Sequence, residues 1–224
     1  MTKFFPLGES ALTIEFSNEI STETNDKVIN LGKYFEENRF PGFVEIVPAY
    51  SSLTIYYDVL IVRKNFSETL TAFETVKNFA EVALLNFTST KKEKPRVIEI
   101  PVNFTDENAL DLQFVAEINH LQTAEVIEIF TRQTYRVYML GFLPGFAYLG
   151  EIDARIAAPR KSAPRLRVPK GSVGIAGRQT GIYPLVSPGG WQIIGKTDVE
   201  LFTPNAESPT FLQPGDTVKF YSEN

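Results

Sequence analysis

The sequence predicts an α+β protein, with a small α/β N-terminal domain over residues 1–90 followed by a β-rich domain over residues 91–224. In the first ninety residues, short segments in which apolar and polar residues alternate are interspersed with segments whose apolar residues have helical spacing. Ten of the 14 glycines lie between Gly141 and Gly195, among regularly spaced prolines and short β-branched runs, which is typical of turn-rich β structure. The polar stretch TSTKKEKPR separates these two regions of different sequence pattern and places the domain boundary near Thr90.

The N-terminal domain contains two kinds of element. ALTIEF and SLTIYYDVLI predict strands, and EISTETNDKVINLGKYFEENRF between them carries apolar residues at helical spacing. FSETLTAFETVKNFAEVALLNF predicts a second helix, for which Ser67 is the candidate N-cap. The order of strands and helices favours a small layered α/β unit.

The second domain begins with mixed elements and ends with strands. RVIEIPVNF and TYRVYML predict strands, and ALDLQFVAEINHL and TAEVIEIF between them predict two short helices. From Gly141 onward the sequence predicts β structure alone.

Composition excludes several classes of chemistry. The chain has no cysteine, which rules out disulfides, thiolate metal ligands and cysteine nucleophiles. Its one histidine, His120, cannot form a multi-histidine site, and we expect no metal site. The start MTKFFPLGESALTIEF meets charge and glycine too early for a signal peptide. No apolar run approaches the ~20 residues that span a bilayer, so we expect a cytoplasmic protein without membrane contact.

One basic region stands out in an acidic chain. The formal net charge is −5, yet the span from Ala154 to Thr197 contains no Asp or Glu and eight cations. Its centre is PRKSAPRLRVPKGS, residues Pro159–Ser172, here called the basic segment. The acidic remainder would repel nucleic acid phosphates, so we expect no nucleic acid partner. A small anion or an acidic partner surface fits the region better.

Aromatic residues flank this segment among glycines and prolines. They are Phe142, Phe146, Tyr148, Tyr183 and Trp191. Rigid turns that present aromatic rings and arginines can form a pocket for a small carboxylate, because the planar guanidinium meets a carboxylate with two parallel bonds. Alternatively, the rings belong to the core and the arginines are solvated or paired at a protein interface. The residues alone leave both interpretations open.

GWQIIGKT, Gly190–Thr197, matches the P-loop pattern G-x-x-x-x-G-K-[ST]. A P-loop wraps phosphates with small residues and leads into a helix. Here the middle residues are bulky and strand-like, and Pro204 follows soon after. We therefore expect a β-strand at this position, entered through the turn SPGG, and no nucleotide bound by a P-loop in this chain.

Several long motifs resemble one known family. They are YRVYMLGFLPGFAYLGEID, APRKSAPRLRVPKGSVGIAGRQTGIYPLVSPGGWQIIGKT, LGESALTIEF and VPAYSSLTIYYD. The chain is similar over nearly its whole length to the 5-oxoprolinase B-subunit family (PxpB), also called KipI-like or allophanate hydrolase subunit 1-like. The resemblance implies that the second domain is a cyclophilin-like β-barrel.

The resemblance also implies a function and partners. A C subunit, similar to allophanate hydrolase subunit 2, and an A subunit would complete an ATP-dependent 5-oxoprolinase that opens 5-oxo-L-proline to L-glutamate. ATP would be used by the complex. The alternative from the same family is a KipI-like regulator that inhibits a sensor histidine kinase by binding it. An accessory role in a carboxylase or urea amidolyase ranks below both.

Site residues follow from the resemblance and the basic segment together. Arg160 and Arg165 are candidate anion binders, Ser172 and Gln179 candidate polar contacts to a lactam, and Phe146 and Trp191 candidate apolar walls. No catalytic residue is assigned. The resemblance implies His at the position where this chain has Phe130. If that His takes part in chemistry in the family, this chain lacks the group and its activity is in doubt. The resemblance also implies Arg where this chain has Lys196, which marks the P-loop match as accidental.

Overall fold

The computed structural model describes residues 2–66, 69–86 and 94–223. The chain divides into two compact units, Met1–Lys94 and Pro95–Asn224, here called unit 1 and unit 2. The candidate boundary residue Thr90 lies outside the described residues and stays a prediction. The candidate N-cap Ser67 also lies outside them, but the helix that it is predicted to begin starts at Ala72, where the Thr71 hydroxyl accepts the N–H of Glu74 at 3.2 Å.

Unit 1 is a four-stranded antiparallel sheet covered by helices. The strand order is β1-β2-β4-β3. In chain order the elements are β1 (Lys3–Pro6), β2 (Ala11–Glu15), α1 (Thr22–Glu37), β3 (Phe43–Pro48), β4 (Ser52–Tyr57), α2 (Val59–Asn65) and α3 (Ala72–Asn86). The buried faces of the sheet, α1 and α3 share one hydrophobic core.

The first two helices of unit 1 start at side-chain caps. The Ser21 hydroxyl accepts the backbone N–H of Thr24 at 3.1 Å and begins α1, which buries apolar residues at helical spacing. The predicted strand SLTIYYDVLI is wrong at its end, because the Asp58 carboxylate accepts the N–H of Ile61 at 2.9 Å and begins α2. None of the helices in the described ranges is long and apolar enough to cross a membrane.

Unit 2 is dominated by one large sheet. It begins with β5 (Val97–Val102), α4 (Leu112–Ile118), α5 (Thr123–Arg132) and β6 (Thr134–Leu140), as the sequence predicts. The later elements are β7 (Ala147–Gly150), a 3₁₀ turn (Ala154–Ile156), β8 (Arg165–Val168), β9 (Ser172–Ala176), β10 (Gln179–Ile182), β11 (Ser187–Gly189), β12 (Gln192–Lys196) and β13 (Thr217–Ser222).

The sheet of unit 2 is nearly closed into a barrel. Seven strands follow the order β12-β9-β10-β7-β6-β13-β5, antiparallel except for the parallel pair of β13 and β5. Just past β5, Asn103 exchanges backbone hydrogen bonds of 2.8 and 3.0 Å with Lys196 at the end of β12. This bridge joins the two edge strands and confirms the expected barrel-like domain.

Strand alternation gives this sheet two buried faces. On β7, Ala147 and Leu149 enter the main core together with side chains of α4 and α5, whereas Tyr148 packs against a separate cluster. The strands β8 and β11 form a separate two-stranded ribbon, and Val168 of this ribbon packs into the separate cluster. The second face of the sheet is therefore covered by the ribbon that contains part of the basic segment.

Phe130 is fully buried in the main core of unit 2. Its ring stacks on Phe220 with centroids 4.9 Å apart, and its carbonyl accepts the hydroxyl of Tyr135 at 2.7 Å. Its side chain therefore serves core packing and does not reach a solvent-facing site.

The segment GWQIIGKT contributes the strand β12, as its bulky middle residues predict. Gln192 and Lys196 pair with Ile175 and Ser172 of β9. No helix follows it in the part of the chain described up to residue 223, so the segment lacks the helix N-terminus that holds phosphates in a P-loop.

Candidate functional site

Five aromatic side chains form a cluster on the second face of the barrel sheet. Phe146 is its centre, with ring centroids 5.4 Å from Phe142, 4.9 Å from Tyr148, 5.4 Å from Tyr183 and 5.5 Å from Trp191. All four contacts are edge-to-face, the geometry that aromatic quadrupoles favour. We call these five residues the aromatic cluster. Phe146 and Trp191 are almost fully buried within it.

Glycines make room for these rings. A Cβ at Gly181 on β10 would lie 2.8 Å from the carbonyl oxygen of Ala147, 3.1 Å from Phe146 and 3.2 Å from Trp191. A Cβ at Gly174 on β9 would lie 3.1 Å from Trp191. Because neither position accepts a side chain without displacement, the glycine-rich sequence serves close ring packing as well as turns.

Arg160 of the basic segment covers this cluster from outside. Its guanidinium carbon lies 6.0 Å from the ring centroid of Trp191, at the limit of a cation–π contact. Burial raises the pKa of Tyr183 above its ordinary value, although a hydrogen bond from the backbone of Trp191 and the charge of Arg160 act against it. Tyr183 therefore stays a neutral phenol near neutral pH.

Two other cations of the basic segment converge on one buried carboxylate, Asp111. Arg165 donates two hydrogen bonds of 2.7 Å to its two oxygens, and Lys161 donates a third of 3.1 Å. The backbone N–H of Ile193 on β12 adds a fourth bond of 2.7 Å. Asp111 is only 5% exposed, so these bonds satisfy a carboxylate that is withdrawn from water.

The ionisation of Asp111 reflects this environment. Burial alone would raise the pKa of its carboxyl group, but the hydrogen bonds from Arg165, from the Ile193 backbone and from Lys161 outweigh burial and hold the pKa below its ordinary value. The carboxyl is therefore charged throughout the neutral range. Arg165 and Lys161 are in turn held by a fixed anion of the same chain.

The main chain of the basic segment is also fastened. The N–H of Lys161 donates to the carbonyl of Gly190 at 2.7 Å, and the side-chain amide of Gln192 donates to the carbonyl of Pro159 at 2.9 Å. Further along, β8 pairs with β11. The segment is thus tied to the barrel on both sides of Arg160, and its prolines stiffen it further.

Most cations of the acid-free span find acids elsewhere in the chain. Lys170 pairs with Glu200 at 2.6 Å. The other surface pairs are Arg178–Glu151, Arg155–Asp153 and Lys196–Asp198. Arg160 and Arg167 have no ion-pair partner among the described residues, and they are therefore the cations of this span that remain available to a carboxylate from outside.

A second feature of the basic segment faces solvent. Leu166 on β8 is 91% exposed, and its neighbour Arg167 is exposed as well. Val186, just before the paired strand β11, is 48% exposed. Arginine is enriched in protein interfaces, and we treat these exposed residues of the ribbon as candidates for a contact with another protein.

The structure brings together part of the predicted site. Arg160, Trp191 and Phe146 form one group. Arg165 lies nearby but is engaged by Asp111.

The two predicted polar contacts lie at the starts of neighbouring strands, Ser172 on β9 and Gln179 on β10. Ser172 is 2% exposed, so its hydroxyl is withdrawn from solvent. Gln179 is half-buried at the start of β10, two residues before Gly181, against which Phe146 and Trp191 pack.

Asp111 is the site residue that sequence reasoning missed. It lies 54 residues before Arg165 and, in the sequence, looks like an ordinary helix N-cap before LQFVAEI. In the structure its side chain makes no capping bond. The available signal was the presence of an acid at the start of a helix in a chain that also contains a strongly basic, acid-free span.

Comparison with known proteins identifies relatives along the whole chain. Residues 2–212 match the carboxyltransferase domain family, subdomain C and D. The 5-oxoprolinase B subunit of Bacillus subtilis (strain 168) is 49% identical over 215 residues, which cover 96% of this chain and 90% of that protein. The 5-oxoprolinase B subunit of Escherichia coli O157:H7 is 36% identical, with 96% and 93% covered.

A solved structure shows the same fold. The crystal structure of TTHA0988 superposes with a TM-score of 0.80 at 33% identity, over the full length of this chain. The chain spans 40% of the TTHA0988 chain. The fold described above is therefore shared with a longer protein that continues beyond the matched region.

Proposed function

This chain belongs to the 5-oxoprolinase B-subunit family, and from that premise we propose that it is the B subunit of an ATP-dependent complex that hydrolyses 5-oxo-L-proline to L-glutamate. The observation that carries the proposal is the 49% identity over 90% of the length of a curated 5-oxoprolinase B subunit. Similarity of this extent covers both units of the chain, including the basic segment and the aromatic cluster.

The substrate offers three groups to recognise: a carboxylate, a lactam N–H and carbonyl, and an apolar ring. Arg160 lacks an ion-pair partner among the described residues and can pair with the carboxylate through its planar fork. It is held over Trp191, 6.0 Å from the ring centroid. We propose that Arg160 is the anion-binding residue. Arg165 contributes indirectly, because its own bonds go to Asp111.

The position of Arg160 on the outside of the cluster supports a site shared with another protein. A carboxylate bound there by this chain alone would remain in water, where charge pairing is weak. A partner surface placed over the basic segment would exclude water and strengthen the pairing. We propose that the C subunit of the complex provides this surface, and that Leu166 and Arg167 lie in the contact with it.

ATP is needed because a lactam is a poor electrophile. Phosphorylation of the lactam oxygen by ATP, with release of ADP, would make the ring carbon electrophilic. Water could then add to that carbon, the ring C–N bond would break to free the amine, and hydrolysis of the resulting acyl phosphate would release phosphate. We propose that ATP binds to another component of the complex, with the A subunit as the candidate; the strand conformation of Gln192–Lys196 supports this proposal.

Reconstitution tests this proposal. The chain is purified together with its candidate A and C subunits, and glutamate release from 5-oxo-L-proline is measured with and without ATP. We expect ATP-dependent release from the three-component mixture and none when this chain is omitted. Equal release without this chain would contradict the proposal.

A further inference from the structure

We propose that Asp111 is a positioning residue, whose carboxylate fixes the Arg160 guanidinium above Trp191 by binding the two cations that follow Arg160 in the basic segment. The inference rests on the proposed function for its role in substrate binding. Its structural part, the coupling of Asp111 to Arg160, stands independently of that function.

The first step is the position of the ties. Lys161 follows Arg160 directly, and its ammonium lies 3.1 Å from Asp111. Arg165 holds the same carboxylate with two bonds of 2.7 Å. Arg160 thus stands near the start of a short loop, residues 159–164, and the cations that follow it are anchored on one buried acid.

The second step is the link from Asp111 to the platform beneath Arg160. Its carboxylate accepts the N–H of Ile193 at 2.7 Å, and its own N–H donates to the Ile193 carbonyl at 2.7 Å. Ile193 lies two residues after Trp191 on the same segment. Asp111 therefore bonds both to the loop that carries Arg160 and to the strand that follows Trp191, and it sets the distance between them.

The third step is the charge arrangement. Without the Asp111 charge, Lys161 and Arg165 would lose the acid that they share, and their unbalanced charges would repel the Arg160 guanidinium and displace its side chain. Arg160 has no ion-pair partner of its own among the described residues. Hydrogen bonds to the backbone of Lys161 and Pro159 hold the main chain of the loop, and the orientation of the Arg160 side chain then depends on the acid that holds the side chains of its neighbours.

Trp191 is the only tryptophan of the chain, so tryptophan fluorescence reports on this ring. Removal of the covering guanidinium by Arg160→Gln should raise the acrylamide quenching of Trp191. In an Asp111→Asn background, Arg160→Gln should add no further increase, because Arg160 has already left the ring.

The matched control is Asp216→Asn. Asp216 is also a buried acid of unit 2, 6% exposed, and accepts two bonds of 3.0 and 2.6 Å from Arg96. This variant should lower the thermal stability as Asp111→Asn does, but leave the quenching of Trp191 unchanged. If Asp111→Asn does not fold, Lys161→Gln is the substitute variant. It removes only one of the hydrogen bonds to Asp111 and should raise the quenching of Trp191 by less than Arg160→Gln does.

Kinetics of the reconstituted complex give the second readout. Asp111→Asn should raise KM for 5-oxo-L-proline about tenfold with kcat changed less than about twofold, since it weakens ground-state and transition-state binding of the carboxylate alike. Asp216→Asn should leave KM unchanged. Rescue by Asp111→Glu should be partial.

Two outcomes would overturn the inference. In the first, Arg160→Gln raises the quenching of Trp191 as much in the Asp111→Asn background as in the wild type. In the second, Asp111→Asn and Asp216→Asn show the same quenching and the same KM. An inactive wild-type complex would count against the proposed function alone, because the fluorescence result still decides whether Asp111 positions Arg160.

Discussion

Asp111 and Arg165 are joined by two hydrogen bonds of 2.7 Å across 54 residues of sequence, and the acid is buried while the arginine is partly exposed. We expect Asp111→Asn to lower the free energy of unfolding at pH 7 by about 2 to 4 kcal/mol, because it leaves two cations without their counterion. Urea denaturation of both proteins measures this difference.

The same pair predicts a pH dependence. The pKa of Asp111 in the folded protein lies below its ordinary value of 3.8. The stabilising contribution is therefore complete where the carboxyl is ionised in both states, above about pH 5. It declines as the unfolded chain takes up a proton near its ordinary pKa and is lost once pH falls through the lower folded-state pKa. The stability difference between wild type and Asp111→Asn should shrink below about pH 4; a constant difference from pH 7 to pH 3 would contradict this explanation.

Close ring packing at Gly181 predicts that a side chain at this position lowers the stability of the protein. Gly181→Ala places a methyl group 2.8 Å from the carbonyl oxygen of Ala147, and we expect a loss of about 1 to 3 kcal/mol in unfolding free energy. Gly141→Ala is the control, because its Cβ would meet only Tyr148 at 3.9 Å. Denaturation followed by Trp191 fluorescence measures both. Equal stability of the two variants would show that the cluster has room for the methyl group.

Replacement of Phe130 by His tests whether this core position can take part in chemistry. Because its ring is fully buried against Phe220, Phe130→His should lower the unfolding free energy by about 2 to 4 kcal/mol. A buried imidazole has a pKa below its ordinary value of about 6.5, so the loss should be greater at pH 5 than at pH 8. Thermal unfolding at the two pH values checks this. An increase in 5-oxoproline turnover would instead assign this position a chemical role.

The exposure of Leu166 predicts that its substitution weakens assembly with the C subunit without lowering the stability of this chain. With the side chain 91% exposed, Leu166→Asp should change the unfolding free energy by less than about 0.5 kcal/mol but abolish co-purification with the C subunit. Leu60→Asp is the matched control, since Leu60 of unit 1 is 80% exposed. If both variants co-purify with the C subunit as wild type does, the contact lies elsewhere.

Local sequence patterns were sufficient for most elements of the fold. The periodicity at Val28, Leu31 and Phe35 predicts α1, and the bulky residues of GWQIIGKT predict the strand β12 despite its P-loop pattern. The pattern failed at SLTIYYDVLI, where the apolar run continues past Asp58 but the Asp58 carboxylate caps a helix. Alternation alone could not show this, since a capping bond depends on where the chain turns.

The site was less accessible to sequence reasoning than the fold. The acid-free span and the nearby aromatics led to Arg160, Phe146 and Trp191, which the structure places together. They also led to Arg165, whose partner is an acid far away in sequence. Only tertiary structure brings Asp111 to Arg165. The structure therefore also shows which cations of the span already have an acid, and that Arg160 has no ion-pair partner among the described residues.

The most direct test of the proposed substrate site is the KM of the reconstituted complex for 5-oxo-L-proline when Arg160 is changed to Gln. Loss of a charge-assisted bond to the carboxylate, worth about 1.5 to 3 kcal/mol, should raise KM at least about tenfold. The control Arg178→Gln alters another exposed arginine of the same span, paired with Glu151 at 2.8 Å, and should leave KM unchanged. Equal KM values for wild type, Arg160→Gln and Arg178→Gln, with assembly intact in all three, would contradict the assignment of Arg160 to the substrate carboxylate.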